Sequence, residues 1–144
     1  MTPDVNVLIA AYREEHPQHG TARAWLEARL AACQTGQRLT LLPMVAASFI
    51  RLVTNRKIFA VPAPPEAAVS FIDAIMRVPG VEMAELGREW TTLRRLIVEH
   101  DLKGNDIPDA WIAAAVQTQG SHLMTFDRGF KRWLRRNELT ILQG

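Results

Sequence analysis

The sequence predicts an α/β fold: one domain in which a short, mostly parallel sheet is flanked by helices on both sides. Three observations point there. The length of 144 residues is close to the commonest size of a single domain. Short apolar runs alternate with stretches of helical periodicity, the pattern of strands joined by crossover helices. No internal repeat, low-complexity tract or long linker divides the chain, so a single domain is expected over residues 1–144.

The elements follow in order. Val5 to Ile9 reads as a strand that turns into a short helix by Tyr12. Thr21 to Cys33 suits a helix, with Leu26, Leu30 and Cys33 on one face. Leu39 to Leu42 is a brief strand, and Pro43 fits the first turn of a helix that buries Val45, Phe49, Leu52 and Val53. Val61-Pro62-Ala63-Pro64-Pro65 is an extended connector that opens a helix at Glu66, and Val78-Pro79-Gly80 ends it. A further helix is expected from Ala84 to Glu99, with Leu86, Trp90, Leu93 and Ile97 as its apolar stripe. Ile107 to Gln119 is an alanine-rich helix stopped by Gly120. Ser121 to Phe126 is a strand, Arg128 to Arg135 one or two helical turns, and Glu138 to Leu142 the last strand.

Composition narrows the function classes. The apolar share of 48% is ample for one core. Cys33 is the single cysteine, which excludes an internal disulfide and a thiolate metal cluster and fits a reducing, cytoplasmic setting. Asp4 and Asn6 interrupt any secretory leader. No apolar run approaches the roughly 20 residues that span a bilayer. The net charge of +2 is uninformative, but Arg128, Lys131, Arg132, Arg135 and Arg136 cluster without an acid among them. That segment is either a solvated helix face or a patch for a polyanion.

Function in a parallel α/β sheet collects beyond the carboxyl ends of its strands. Asp4 lies in the first strand region, Asp127 directly follows the Ser121–Phe126 strand, and Asp109 opens the helix leading into that strand. Each has a bland explanation: Asp127 as a cap, Asp109 as a carboxylate in the first turn of a helix. Asp4 is harder to dismiss, because a carboxylate in an apolar run needs a cation, a hydrogen-bond network or an altered pKa. Three converging carboxylates repel one another, and a hard cation resolves the conflict. Oxygen-only donors favour Mg2+ or Mn2+, since His16, His19, His100 and His122 lack metal spacing. Such an ion activates water and neutralises charge on a phosphodiester without a protein nucleophile.

These residues resemble a family. Asp4-Val5-Asn6-Val7-Leu8-Ile9-Ala10-Ala11 is similar to the opening motif of PIN-domain ribonucleases, specifically the VapC-type toxins of bacterial toxin–antitoxin pairs. Gly104-Asn105-Asp106-Ile107-Pro108-Asp109-Ala110 with Ala113-Ala114 resembles the segment around the family's third acid. Thr125-Phe126-Asp127-Arg128-Gly129-Phe130 resembles the last motif, and Arg51-Leu52-Val53-Thr54-Asn55 a further common stretch. The resemblance runs from Asp4 to about Trp133. It implies a PIN fold, Mg2+-dependent endoribonuclease activity on RNA (transfer or ribosomal), dimerisation, and neutralisation by a cognate antitoxin. By matching positions it makes Asp4 and Asp109 the principal metal ligands, with Asp127 acting directly or through water. Thr125 is placed to bond a ligand water, and Asn6 either to steady Asp4 or to cap a helix.

The pattern departs at one place. The family commonly has a glutamate where Ser48 stands, and serine brings no charge. Ser48, Arg51 and Asn55 still share a polar helix edge. Asp106, three residues before Asp109, either restores the charge as a further ligand or is the helix N-cap with Asp109 in a capping box. Arg51, Arg128, Lys131 and Arg132 are candidate RNA contacts, and Trp133 sits among them. Trp25, Trp90 and Trp111 fit apolar helix faces. The competing readings are a housekeeping RNA-processing nuclease, a non-catalytic RNA- or partner-binding module, and a nuclease acting on DNA.

Overall fold

The computed structural model describes residues 1–144. Five strands, β1 (Thr2–Pro3), β2 (Leu39–Leu41), β3 (Val81–Met83), β4 (Leu123–Thr125) and β5 (Leu139–Ile141), alternate with six helices. The helices are α1 (Val5–Tyr12), α2 (His19–Cys33), α3 (Pro43–Val53), α4 (Pro65–Met76), α5 (Trp90–His100) and α6 (Asp106–Thr118). Every strand pairing is parallel, in the orders β1-β4-β5 and β2-β3. The Thr40 amide donates to the Met1 carbonyl at 2.9 Å and lays β2 alongside the start of β1. The expected α/β fold, a mostly parallel sheet flanked by helices, is therefore what the chain adopts.

The pairing of β1 with β4 places the site. Thr2 faces Leu123 and Pro3 faces Met124, and the Asp4 amide donates to the Met124 carbonyl at 2.9 Å. Asp4 thus arrives beside Thr125, just beyond the carboxyl ends of two adjacent strands. Underneath, α1 packs on α2 and α3, α3 on α4, and α5 on α6. Tyr12, Phe49 and Phe71 interlock there with ring centroids 5.1–5.5 Å apart. Their edge-to-face contacts anchor α1, and with it Asp4, to the core.

Several expectations need correction. Val5 to Ile9 is helical, not extended: Asp4 is the N-cap, and the helix begins at Val5. Val7 to Ala11 are five consecutive buried apolar residues, which show no amphipathic period to distinguish a helix from a strand. The helix expected from Ala84 starts only at Trp90. Ala84 instead extends the sheet through its amide bond to the Leu41 carbonyl at 2.8 Å, and Gly87 turns at a φ of +129°. Glu89 then locks the turn by accepting from the Gly87 amide at 2.6 Å and from Trp111 Nε1 at 2.7 Å. The buried face of α5 is Leu93 and Leu96; Trp90 points to solvent at 59% exposed, and Leu52 of α3 is only half-buried. The strand β3 was not expected at all.

β3 depends on the turn before it. Gly80 has a φ of +95°, and a Cβ there would sit 2.9 Å from the Gln37 carbonyl oxygen and 3.1 Å from Cys33 Cβ. Gly80→Ala is therefore strained both in its backbone and against fixed neighbours, and should cost about 2 kcal/mol in urea unfolding. An unchanged midpoint would mean that the α4–β3 turn is free to rearrange.

Candidate active site

Asp4 is a carboxylate that the fold buries on purpose. It is 5% exposed, and both oxygens are engaged: Oδ1 accepts from the Val5 amide at 2.7 Å and Oδ2 from the Thr125 hydroxyl at 2.7 Å. Burial pushes its carboxyl up to about 6. The two hydrogen bonds pull the other way, while the charges of Asp109 and Asp127 push it further up.

Thr125, at the end of β4, is the hub. Its hydroxyl donates to Asp4 and accepts from Asn6 Nδ2 at 3.2 Å and from the Asp127 amide at 3.0 Å, using its full hydrogen-bonding capacity. Asn6 Oδ1 accepts from the Phe126 amide at 3.3 Å. Asn6 therefore neither caps α1 nor touches Asp4; it grips the end of β4 and steadies Asp4 through Thr125. Thr125 spends its donor on Asp4 itself, where the sequence suggested a ligand water. Asp127 Oδ1 accepts from the Gly129 amide at 2.7 Å and caps a 3-10 turn over Arg128–Arg132. The capping explanation for Asp127 holds, and it engages only one of the two carboxylate oxygens.

The head of α6 supplies the remaining acids. The chain turns at Gly104, φ +57°, and Asn105 stands at the N-cap without a side-chain bond, so Asp106 and Asp109 form no capping box. Asp109 is half-buried, and its carboxyl is raised first by burial and then by Asp127, with Arg132 opposing and Asp106 adding. Asp106 instead accepts from Arg132 Nη1 at 3.2 Å. This long-range pair was not foreseen, and no spacing in the sequence signals it.

Asp4, Asp106, Asp109 and Asp127 thus share one electrostatic field. Their all-oxygen chemistry suits a hard divalent cation. As they stand, no three acidic or histidine side chains close into a ligand set. Burial first, and repulsion among the carboxylates after it, raises Asp4 and Asp109. Ser48 is half-buried on α3, while Arg51, Arg128 and Lys131 are exposed and unpaired. Arg132 is the cation that bears on Asp109. Trp133, 7% exposed, is a buried ring beneath Arg132 and offers no open stacking face. Cys33 is buried with Leu26, as expected, while Leu30 is half-buried; His19 and His122 are held by hydrogen bonds away from the carboxylates.

The raised Asp4 makes stability depend on pH with a definite sign. The folded chain holds a proton up to about pH 6 that the unfolded chain releases near 3.8. Stability from this group is full below about pH 4 and is lost as pH rises through 6, by an amount on the order of 3 kcal/mol. In chelator at pH 8, Asp4→Asn should melt above wild type, and the gap should shrink toward pH 4. A variant that melts lower at pH 8 than at pH 4, relative to wild type, would contradict this.

Comparison with known proteins places this geometry. The family model for the PIN domain matches residues 1–133. Ribonuclease VapC31 and ribonuclease VapC25 of Mycobacterium tuberculosis are each 40% identical over 131 residues, covering 90% of both chains. Ribonuclease VapC43 of the same organism is 39% identical over 133 residues, covering 92% of this chain and 88% of its own. Among solved structures, VapBC2 from Rickettsia felis, bound to a DNA fragment from its promoter, aligns at a TM-score of 0.66 and 18% identity. It covers 99% of this chain and 98% of its own. VapC20 of Mycobacterium tuberculosis, a sarcin-ricin loop cleaving toxin, aligns at 0.64 and 17%, covering 91% and 92%. The two structures share the fold; the sequence relatives share the family. The chain belongs to the PIN-domain family and is a homologue of its VapC ribonucleases.

Proposed function

We propose that this chain is the ribonuclease toxin of a type II toxin–antitoxin pair, a metal-dependent endoribonuclease that cleaves RNA phosphodiesters through Asp4, Asp109 and Asp127. The observation that carries the reading is Asp4: a buried carboxylate, raised to about 6, in the field of two further aspartates at the carboxyl end of a parallel sheet. Such an arrangement destabilises the metal-free fold, so its use lies in what it binds. Kinship with proteins named as ribonucleases supports the reaction class. VapC20, a sarcin-ricin loop cleaving toxin of the same fold, makes ribosomal RNA one substrate to test beside transfer RNA.

Asp4 and Asp109 would hold Mg2+, with Mn2+ as a substitute, and Asp127 would act directly or through water. When bound, the ion polarises water and neutralises charge building on the phosphodiester. The chain's own residues orient and hold. Thr125 fixes the Asp4 carboxylate, Asn6 fixes Thr125, and Asp127 keeps one oxygen free to orient a water. Arg51, Arg128, Lys131 and Arg132 would receive RNA phosphates. An antitoxin that inserted a basic side chain among the carboxylates would exclude ion and substrate together. Between α2 and α4 an open groove of about 370 Å³, floored by Leu26, Leu30, Phe71 and Ile75, supports a protein partner or a second copy of the chain. No helix is long and apolar enough to cross a membrane.

A second reading rests on Ser48 and on the unclosed acidic set: a non-catalytic PIN module that binds RNA or a partner. A housekeeping nuclease of the same fold differs in causing no growth arrest on expression. Cleavage of RNA by the purified chain, with and without Mg2+ or Mn2+, distinguishes catalysis from binding. We expect metal-dependent cleavage that Asp4→Asn lowers by about a hundredfold or more. Equal cleavage by both proteins would trace the activity to a contaminant, and tight RNA binding without cleavage would favour the non-catalytic module.

A further inference from the structure

The two acids at the head of α6 have different tasks. Asp109 accepts no hydrogen bond from the chain, and burial and its acidic neighbours hold its carboxyl above the ordinary range. Asp106, one turn earlier, is already engaged with Arg132 Nη1 at 3.2 Å. The same guanidinium is held at two more points. Its Nε donates to the Gly129 carbonyl at 2.9 Å, and its Cζ lies 4.0 Å from the centroid of the Trp133 ring. That ring is buried and therefore a fixed platform. A carboxylate, a carbonyl and an aromatic face together set the position and plane of a side chain that otherwise samples many rotamers.

The free end of Arg132 lies near Asp127. A Cβ built on Gly129 would lie 3.0 Å from Asp127 Oδ1 and 3.6 Å from Arg132 Nη2. Because residue 129 has no side chain, carboxylate and guanidinium flank one open spot. With Nε and Nη1 each donating one bond, Nη2 is the nitrogen with no partner in the chain, and the side chain is 47% exposed.

We infer that Asp106 is a positioning residue for Arg132 rather than a cation ligand, and that Arg132, so held, receives a non-bridging oxygen of the RNA phosphodiester at the carboxylate cleft. The inference rests on the nuclease reading above. A planar guanidinium whose plane is already set suits a phosphate better than a mobile lysine does. The tie to Arg132 turns Asp106 toward the guanidinium, so Asp106 acts on Asp109 only as a neighbouring charge and does not replace the acid missing at Ser48. The cation is held by Asp4 and Asp109 with Asp127, and the fourth acid serves the substrate instead.

Asp106→Asn, Arg132→Gln, their double variant and Asp109→Asn separate the two roles. Mn2+ affinity is read by EPR titration, affinity for a fluorescein-labelled RNA hairpin by anisotropy in chelator, and KM and kcat in Mg2+. Asp106→Asn should keep Mn2+ affinity within about twofold, weaken the hairpin about three- to fivefold and raise KM with little change in kcat. Arg132→Gln should weaken the hairpin about tenfold. The double variant should be no weaker than Arg132→Gln alone, since the tether then has nothing to hold. A loss of Mn2+ affinity in Asp106→Asn as large as in Asp109→Asn would overturn the inference, as would hairpin affinity indifferent to Arg132→Gln. Wild type that binds no Mn2+ counts against the nuclease reading, and the hairpin measurements still decide the tether.

Discussion

The hydrogen bond from Thr125 to Asp4, 2.7 Å long and spanning 121 residues of sequence, is the contact on which the site depends. It joins the end of β4 to the cap of α1, the point where the parallel register of β1 and β4 delivers both residues. Asn6, in the first turn of α1, repeats the connection through Thr125 and the Phe126 amide. Because the Thr125 hydroxyl also accepts from the Asp127 amide, one side chain relates two of the three acids in position. Sheet register, helix capping and site geometry are thus one arrangement.

That arrangement works against electrostatics. Burial and mutual repulsion both favour the protonated form of Asp4, and the same two causes raise Asp109. The fold offsets part of the conflict with local donors: the Val5 amide and Thr125 hydroxyl on Asp4, the Gly129 amide on Asp127, and Arg132 on Asp106. Asp109 receives no such donor. The balance left over is a site that a hard cation would relax and that RNA alone, itself an anion, would not. Arg128, Lys131 and Arg132 of the following turn are exposed, where they would meet a polyanion first.

Much of this was legible in the sequence where local chemistry decides structure. Pro43 at the start of α3, the apolar stripe of Val45, Phe49 and Val53, and Gly120 after α6 all act within or at the end of a single helix. The placing of Asp4 and Asp127 at strand ends was readable, since Asp4 follows β1 and Asp127 follows β4. What failed to show was long-range or featureless. The buried apolar run of α1 carries no period, β3 is three residues long, and the stretch from Ala84 to Glu89 is fixed by Trp111 of another helix. The Asp106–Arg132 pair joins residues 26 apart, and the capping pattern at α6 pointed to the wrong partner. Motif order found the acids; only tertiary contacts showed which were free.

The central claim is that Asp4, Asp109 and Asp127 serve a single cation site. Diffraction from crystals soaked in Mn2+, with anomalous difference density at the Mn2+ edge, tests it most directly. The account predicts a peak between Asp4 and Asp109, with Asp127 in its direct or water-bridged shell and the Asp106–Arg132 contact intact. A site without density at saturating Mn2+, or a peak on Asp106 with Arg132 displaced, would contradict it.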